Sequence, residues 1–575
     1  MKIREQFFFL FILFVSSSLF SCERDSDTEE ETEDTEETSE EVSSEASDNS
    51  DDYTWESSEE IAVSLSDSSI ECDSTGVSIS GSTLTITAAG TYLLSGSLSD
   101  GQIIVDSEDE DLVRIILNGV DISCSYNSAI YVRNADRTMI VLQDDTENYL
   151  SDGSSYTYAE SDDDSNACIY SKDDLTIYGD GYLNVSGNYN DGITSKDGLI
   201  INCDLIEVDA VDDGIRGKDY FYITDADLVI YSGGDGLKSD NDEDPSVGYI
   251  TIETGNFDIT ASGDAIAAET DLTITYAEMN LISGGGSNGS SSSSTKGLKA
   301  GSSITITNGT FDINSADDAI HSNGSISISE GSFEIASGDD AIHADSDLDV
   351  NGGYFNITES YEGLESAEGD INIYDGEIYI VSSDDGINIS AGNTSSGNVG
   401  TRSTSSYTLT IEGGTIFVNA SGDGLDSNDD ITMSGGTVIV SGSTSSSNSA
   451  LDYDGSFLIS GGLLVASGTT QMAEAPGTSS SQYSVMISFS STQKADQMVH
   501  IESADGDDIV TIEPQKAFQS LVVSSPDFEK GSTYNIYLGG SYSGTEDNGF
   551  YTDGTYSGGT KYSSFSISST VSYVN

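Results

Sequence analysis

Basic residues are scarce in this chain: 18 Lys and Arg stand against 101 Asp and Glu, for a formal charge of −83. Nucleic acid is therefore excluded as a partner, because binding it requires cations that displace phosphate counterions. Electrostatic docking onto anionic lipid is excluded for the same reason. Proline is nearly absent, with four residues, while glycine numbers 60. Together with abundant Ser, Thr, Asp and Tyr, this predicts many short strands joined by tight turns. Cysteine is also sparse, and Cys72, Cys124, Cys168 and Cys203 match no zinc spacing. An exported protein permits disulfides among them, and a β core accepts cysteine as a small apolar filler. The sequence leaves both open.

A single long apolar run, Phe7 to Val15, follows the basic residues Lys2 and Arg4. It is too short to span a membrane and ends in small residues, the pattern of a cleaved export leader. Leu19-Phe20-Ser21-Cys22 resembles a bacterial lipobox, which implies lipidation at Cys22 after loss of residues 1–21. An ordinary secretory leader with an incidental cysteine is the alternative. The expectation is an exported monomer, lipid-anchored at the bacterial cell surface or outer membrane. Residues 22–60 are almost wholly Glu, Asp, Ser and Thr, a composition that buries too little to fold and repels itself into a disordered stalk.

From Ile61 onward the chain alternates apolar and polar residues in short runs, and a cassette of acid, Gly or Ala, then Ile or Leu recurs. Its acids are Asp191, Asp213, Asp235, Asp264, Asp318, Asp340, Glu362, Asp385 and Asp423, with Lys296 and Ser449 filling the same slot. The commonest spacing is 22 residues, as between Asp318, Asp340 and Glu362. Two alternating runs separate successive cassettes, as in Ile326-Ser-Ile328 and Phe333-Glu-Ile335. A propeller blade would need about 40 residues, and the Leu-x-x-Leu-x-Leu frame of leucine-rich repeats is absent. The pattern predicts an all-β, right-handed parallel β-helix over 61–470, about 22 residues per coil. A small C-terminal β cap over 471–575 follows, where the cassette stops.

Stacked coils set equivalent residues about 4.8 Å apart, so the Ile and Leu form a core ladder and the acids a surface column. Two such carboxylates repel by about 1 kcal/mol in water and about 3.5 kcal/mol at an effective dielectric near 20. Bound cations would relieve this, and Ca²⁺, an oxygen-seeking ion, is the expected one. Candidate ligands are Asp191, Asp213, Asp235, Asp318, Asp340, Glu362 and Asp385, the preceding acids Asp212, Asp317, Asp339 and Asp384, and Asp240 and Asp242 of an insert at 240–248. Further inserts at 284–295 and 390–406 protrude beside the same corner, where a rigid fold places a ligand groove. Each column acid can alternatively cap turn backbone. Three residues after the column position stand Thr194, Arg216, Lys238, Ala267, Lys299, His321, His343, Glu365, Asn388, Asp426 and Asp452, so basic residues sit early and acids late. Arg216, Lys218, Lys238 and Lys299 form either a cationic patch for sugar carboxylates or salt bridges to the neighbouring acids. His321, His343 and Glu365 could hold a transition metal, or stand as a solvated stack.

Asn188-Tyr-Asn-Asp-Gly-Ile193, Asp212-Asp-Gly-Ile-Arg-Gly-Lys-Asp219 and Gly233-Gly-Asp-Gly-Leu-Lys-Ser-Asp-Asn241, with Leu117-Asn-Gly-Val-Asp-Ile122 upstream, resemble the bacterial carbohydrate-binding β-helix family. That family was first recognised on clostridial cell surfaces and is similar to polysaccharide lyases. The resemblance implies a right-handed β-helix, bound calcium at the Asp191, Asp212–Asp213 and Asp235 corners, and affinity for polysaccharides such as cellulose and polygalacturonate. Three functions remain: polysaccharide binding, a calcium-dependent pectate-type lyase with Lys218, Arg216 or Lys238 as base, or a non-catalytic adhesin or surface spacer.

Overall fold

A computed structural model of the chain describes residues 50–157, 165–290, 294–390 and 406–575. The predicted leader, Cys22 and the stalk through residue 49 lie outside the described residues, as do 291–293 and 391–405 within two of the inserts. The described residues contain no α-helix and two single turns of 3₁₀ helix, Ser50–Tyr53 and Ser57–Glu59.

The chain winds into coils of three strands. One coil is Ile320–Ser322, Ser325–Ile328 and Ser332–Ser337, and the next is Ile342–Ala344, Leu348–Val350 and Tyr354–Glu359. Each strand pairs in parallel with its counterpart one coil on: Ile320 with Ile342, Ile326 with Leu348, Phe333 with Phe355. This is a parallel β-helix with three ladders. The first ladder, built from the cassettes, has 16 strands running from Val77–Ser80 to Leu451–Tyr453. Its opening hairpin, Val77–Ser80 with Thr83–Ile86, is antiparallel.

The periodicity explains the winding. Ile193, Ile215, Leu237, Ile266, Leu298, Ile320, Ile342 and Leu364 align in register and are fully buried. On the third ladder Phe311, Phe333 and Phe355 stack nearly flat with centroids 4.6 Å apart, close to the strand spacing. The small residue of the cassette is required for space. A Cβ on Gly214 would lie 2.5 Å from Ile230 Cγ2 and 2.6 Å from the Gly236 carbonyl oxygen. None of the cassette glycines is among the positive-φ residues, so the demand for a small residue there is steric and not conformational.

Order begins before Ile61. Tyr53 and Trp55 pack on Ile116, Met139 and Val141, Arg114 lies 4.8 Å over the Trp55 ring, and Asp52 pairs with Arg137. The last eleven residues of the predicted stalk thus sit against the first coils. At the other end Phe518–Ser524 pairs antiparallel with Leu463–Gly468 and with Ser484–Gln493, prolonging the third ladder. Met486 and Val522 close the long core there. The C-terminal region does more than cover an end, however. Its own core takes in Phe417, Ile439 and Val465 from the outside of the third ladder. Cys72, Cys124, Cys168 and Cys203 are free thiols, the last three buried.

Candidate functional site: a buried acid column

The column acids stand in register at the corner before the first ladder. They are not on the surface: Asp191, Asp213, Asp264, Asp318, Asp340 and Glu362 are all buried. Burying charge is costly unless each oxygen is satisfied, and the two oxygens of each carboxylate divide the work. One accepts the backbone N–H of the next coil. Asp213 Oδ1 takes that of Asp235 at 2.9 Å, Asp235 Oδ1 that of Asp264 at 2.8 Å, Asp318 Oδ1 that of Asp340 at 3.0 Å, and Asp340 Oδ1 that of Glu362 at 3.1 Å. The turn-capping role therefore holds at these rungs and recurs at Asp264 and Asp423, whose Oδ1 atoms accept the N–H of Lys296 and Ser449. Asp191 is instead held by the side chains of Asn166, Asn190 and Thr194.

The other oxygen faces a residue three positions after a cassette acid, in its own coil or in the next. In the N-terminal half that position holds Thr194, Arg216, Lys238, Ala267 and Lys299 in turn. Arg216 lies 2.8 Å from Asp191 and 3.3 Å from Asp240. Lys238 Nζ lies 2.8 Å from Asp235 and 3.2 Å from Asp213, and Lys299 Nζ is 3.1 Å from Asp264. Lys296, which replaces a column acid, reaches Asp317 at 2.9 Å and Asp318 at 2.7 Å. His321 Nδ1 is 2.8 Å from Asp318, and His343 Nδ1 is 3.0 Å from Asp340 and 2.8 Å from Glu365. Burial works against the charge on His343, but Asp340 and Glu365 outweigh it and push its pKa up to about 11. Burial likewise opposes the charge on Lys238, yet Asp235 and Asp213 hold it well above its ordinary range.

This arrangement corrects several expectations. Asp191 and Asp240 share Arg216, Asp213 and Asp235 share Lys238, and Asp317 and Asp318 share Lys296. Asp212 and Asp242 are exposed and belong to no convergent trio of ligand atoms among the described residues. Asp339 converges with Asp317 and Asp318, but Lys296 already sits on that pair. Arg216, Lys238 and Lys299 are likewise engaged by carboxylates rather than displayed to a ligand. Of the predicted cationic patch, Lys218 alone makes no ion pair among the described residues. The insert at 240–248 is ordered by its own turns, with Asn241 Oδ1 accepting the Glu243 N–H at 2.9 Å.

Among the described residues, no Lys or Arg pairs with the acids of the C-terminal half of the column. Asp385, Asp423 and Asp426 bring three carboxylate oxygens within 4.8 Å of one another. Asp385 Oδ1 accepts the Asp423 N–H at 2.5 Å. Asn388, in register with Glu365 and Asp426, occupies the position of the earlier lysines. It is 5% exposed, gives its Nδ2 to Glu362 at 2.8 Å, and its Oδ1 has no donor. Burial, then the neighbouring charges of Asp385 and Asp423, push Asp426 up to about 8. Burial, helped by like charge, carries Asp385 and Asp423 to about 6, and burial with Glu365 and Asp340 raises Glu362 to about 9. Among the described residues, these carboxylates converge with backbone N–H donors but no cation to meet them. Glu362 and Asp385 had been singled out from the sequence. Asp423 stands among the cassette acids, and Asn388 and Asp426 in the basic-to-acidic series, but none of the three is among the candidate ligands.

The chain has relatives among known proteins. The model of the carbohydrate-binding domain-containing protein family matches residues 80–341 and 341–533. The chain belongs to this carbohydrate-binding family. A member from Acetivibrio thermocellus is 37% identical over 211 residues, which is 36% of this chain and 74% of that protein. Among solved structures, the gadolinium derivative of the polysaccharide lyase-like protein from C. thermocellum is 29% identical. That alignment covers 48% of this chain and 92% of the other, at a TM-score of 0.35.

Proposed function

We propose that this protein binds polysaccharide at the bacterial cell surface, tethered by lipid on Cys22, with calcium holding the C-terminal half of its acid column. Membership of a carbohydrate-binding family supports the first part. The observations that carry the calcium reading are the convergent oxygens of Asp385, Asp423 and Asp426 and, in register with Asp426 on the adjacent strand, the orphaned Asn388 Oδ1. An all-oxygen set of carboxylates and one amide carbonyl suits a hard divalent cation, and the donor chemistry therefore fits Ca²⁺. Bound there, the ion would supply the positive charge that Arg216, Lys238 and Lys299 supply in earlier coils. Its role is structural, stiffening the scaffold that presents the glycan site. Arg216 and Lys238 are poor candidates for a lyase base, because each is held protonated by two carboxylates.

Two measurements test this. Retention of the purified protein on cellulose and on immobilised polygalacturonate, against an uncoupled resin, reports glycan binding; flow-through from both ends the binding proposal. Calorimetric titration with Ca²⁺ should give a saturable site that Asp423→Asn with Asp426→Asn abolishes. For the anchor, Cys22→Ser should release the protein from the membrane fraction.

A further inference from the structure

The outer face of the third ladder carries a separate set of aligned side chains that the acid column does not use. Asp258, Asn280, Asp312, Glu334 and Asn356 follow one another in register on successive coils, and Tyr379 comes next. Five rungs at about 4.8 Å make this row ~24 Å long. Its members are already linked: Asn280 Nδ2 donates to Asp258 at 3.1 Å, and Asn356 Nδ2 to Glu334 at 2.8 Å. A depression opens at each end. One, of about 400 Å³, is lined by Asp227, Asn256, Asp258, Glu278 and Asn280. The other, a cleft of about 290 Å³, lies between the ladder and the C-terminal region and is lined by Tyr354, Asn356, Tyr379, Asn419, Gln515 and Asp547.

The second cleft has a flat apolar floor with a fixed polar rim. Tyr379 stacks on Phe417 at 5.1 Å and 5°, and Tyr354 leans over Tyr379 at 5.8 Å. Tyr354 is 40% exposed and Val381 45% exposed. Around them Tyr379 donates its hydroxyl to Asp547 at 2.9 Å, while Gln515 joins Asn419 at 2.8 Å and Asn548 at 3.1 Å. A sugar ring offers an apolar C–H face for the aromatic floor and hydroxyls for such a rim, which is how polar ligands are oriented in mostly preformed pockets. Charge narrows the class. The row contains Asp258, Asp312 and Glu334, and no strand of this ladder from Gly255–Ala261 to Thr415–Ala420 carries a Lys or Arg. A polyuronate laid here would meet like charges at three of the six positions, two of them adjacent.

We propose that a neutral polysaccharide chain lies along this face, with one sugar ring seated on Tyr354 and Tyr379 in the cleft. This rests on the reading that the protein binds glycan, and it assigns the site and the charge class. The test uses the full chain with soluble hydroxyethyl cellulose and polygalacturonate, read by affinity electrophoresis and calorimetry. Tyr354→Ala with Asn356→Ala should weaken hydroxyethyl cellulose binding by about tenfold, the loss expected from truncating central contact residues. Melting temperature should stay unchanged, and Tyr354→Trp should retain binding. Wild-type affinity in the double variant would overturn the site while leaving glycan binding intact. Polygalacturonate binding that the same double variant weakens equally would overturn the charge class. Failure of the wild type to bind either polymer would overturn the underlying reading as well.

Discussion

Asn388 and Asp426 are paired in register on adjacent coils, at the position where earlier coils carry Lys238, Lys299, His321 and His343. The same corner is thus built twice, once neutralised by the chain's own cations and once left with oxygens alone. The difference governs how each half responds to substitution and to metal.

In the C-terminal half, added Ca²⁺ should raise the melting temperature and EGTA should lower it. At a free concentration 100 times the dissociation constant the gain is about 2.7 kcal/mol. Asp426→Asn should shrink the calcium-induced shift, whereas Asp212→Asn, exposed and outside any convergent group, should leave it intact. Differential scanning calorimetry with and without chelator makes the comparison.

In the N-terminal half, removing a cation strands a buried carboxylate. Arg216→Met leaves fully buried Asp191 without its 2.8 Å partner. A loss of about 3–5 kcal/mol is expected, as for a broken buried pair. Arg216→Met combined with Asp191→Asn should recover part of that loss, because the stranded charge is then gone. Denaturant melts of the two variants check the order.

The cassette glycines are set by space. Gly214→Ala places a Cβ 2.5 Å from Ile230 Cγ2, and overpacking of that kind costs about 1–3 kcal/mol. Ala319→Gly, at the equivalent position of a coil that already accommodates alanine, should cost less than Gly214→Ala. Thermal melts that reverse this ranking would contradict the steric account.

Acid should weaken the C-terminal region through His500. Its side chain is fully buried, bonded through Nδ1 to Thr511 at 2.7 Å and stacked on Tyr556. Burial, opposed by Asp508 and Glu502, lowers its pKa below the ordinary histidine value. The folded state then binds its proton less readily than the unfolded state. Stability is fully present above the unfolded value near 6.5 and falls as pH drops through it toward the folded value. Melting temperatures between pH 7.5 and 5 should fall more steeply in the wild type than in His500→Gln.

Much of the fold was legible because its signal is local and repeated. The 22-residue recurrence of Asp318, Asp340 and Glu362 set coil length, and the alternation around Ile326 and Phe333 set which side chains face inward. The candidate site was legible only as a line of acids. Neither their burial nor the engagement of Arg216, Lys238 and Lys299 could be read from spacing, because a side chain's partner depends on the coil beside it. The free state of Cys124 and Cys168 was equally beyond pattern.

By itself the sequence determined the register: one apolar residue per cassette, repeated, leaves a single way to bury every Ile and Leu at once. Tertiary structure alone decided where charge is balanced and where it is not, since the distance from Lys296 Nζ to Asp318 arises only when coils 22 residues apart are stacked. It also decided that Tyr379 and Phe417, 38 positions apart in sequence, form one floor. Ladder pairing joins residues across whole coils, and electrostatics acts through that distance and not along the chain.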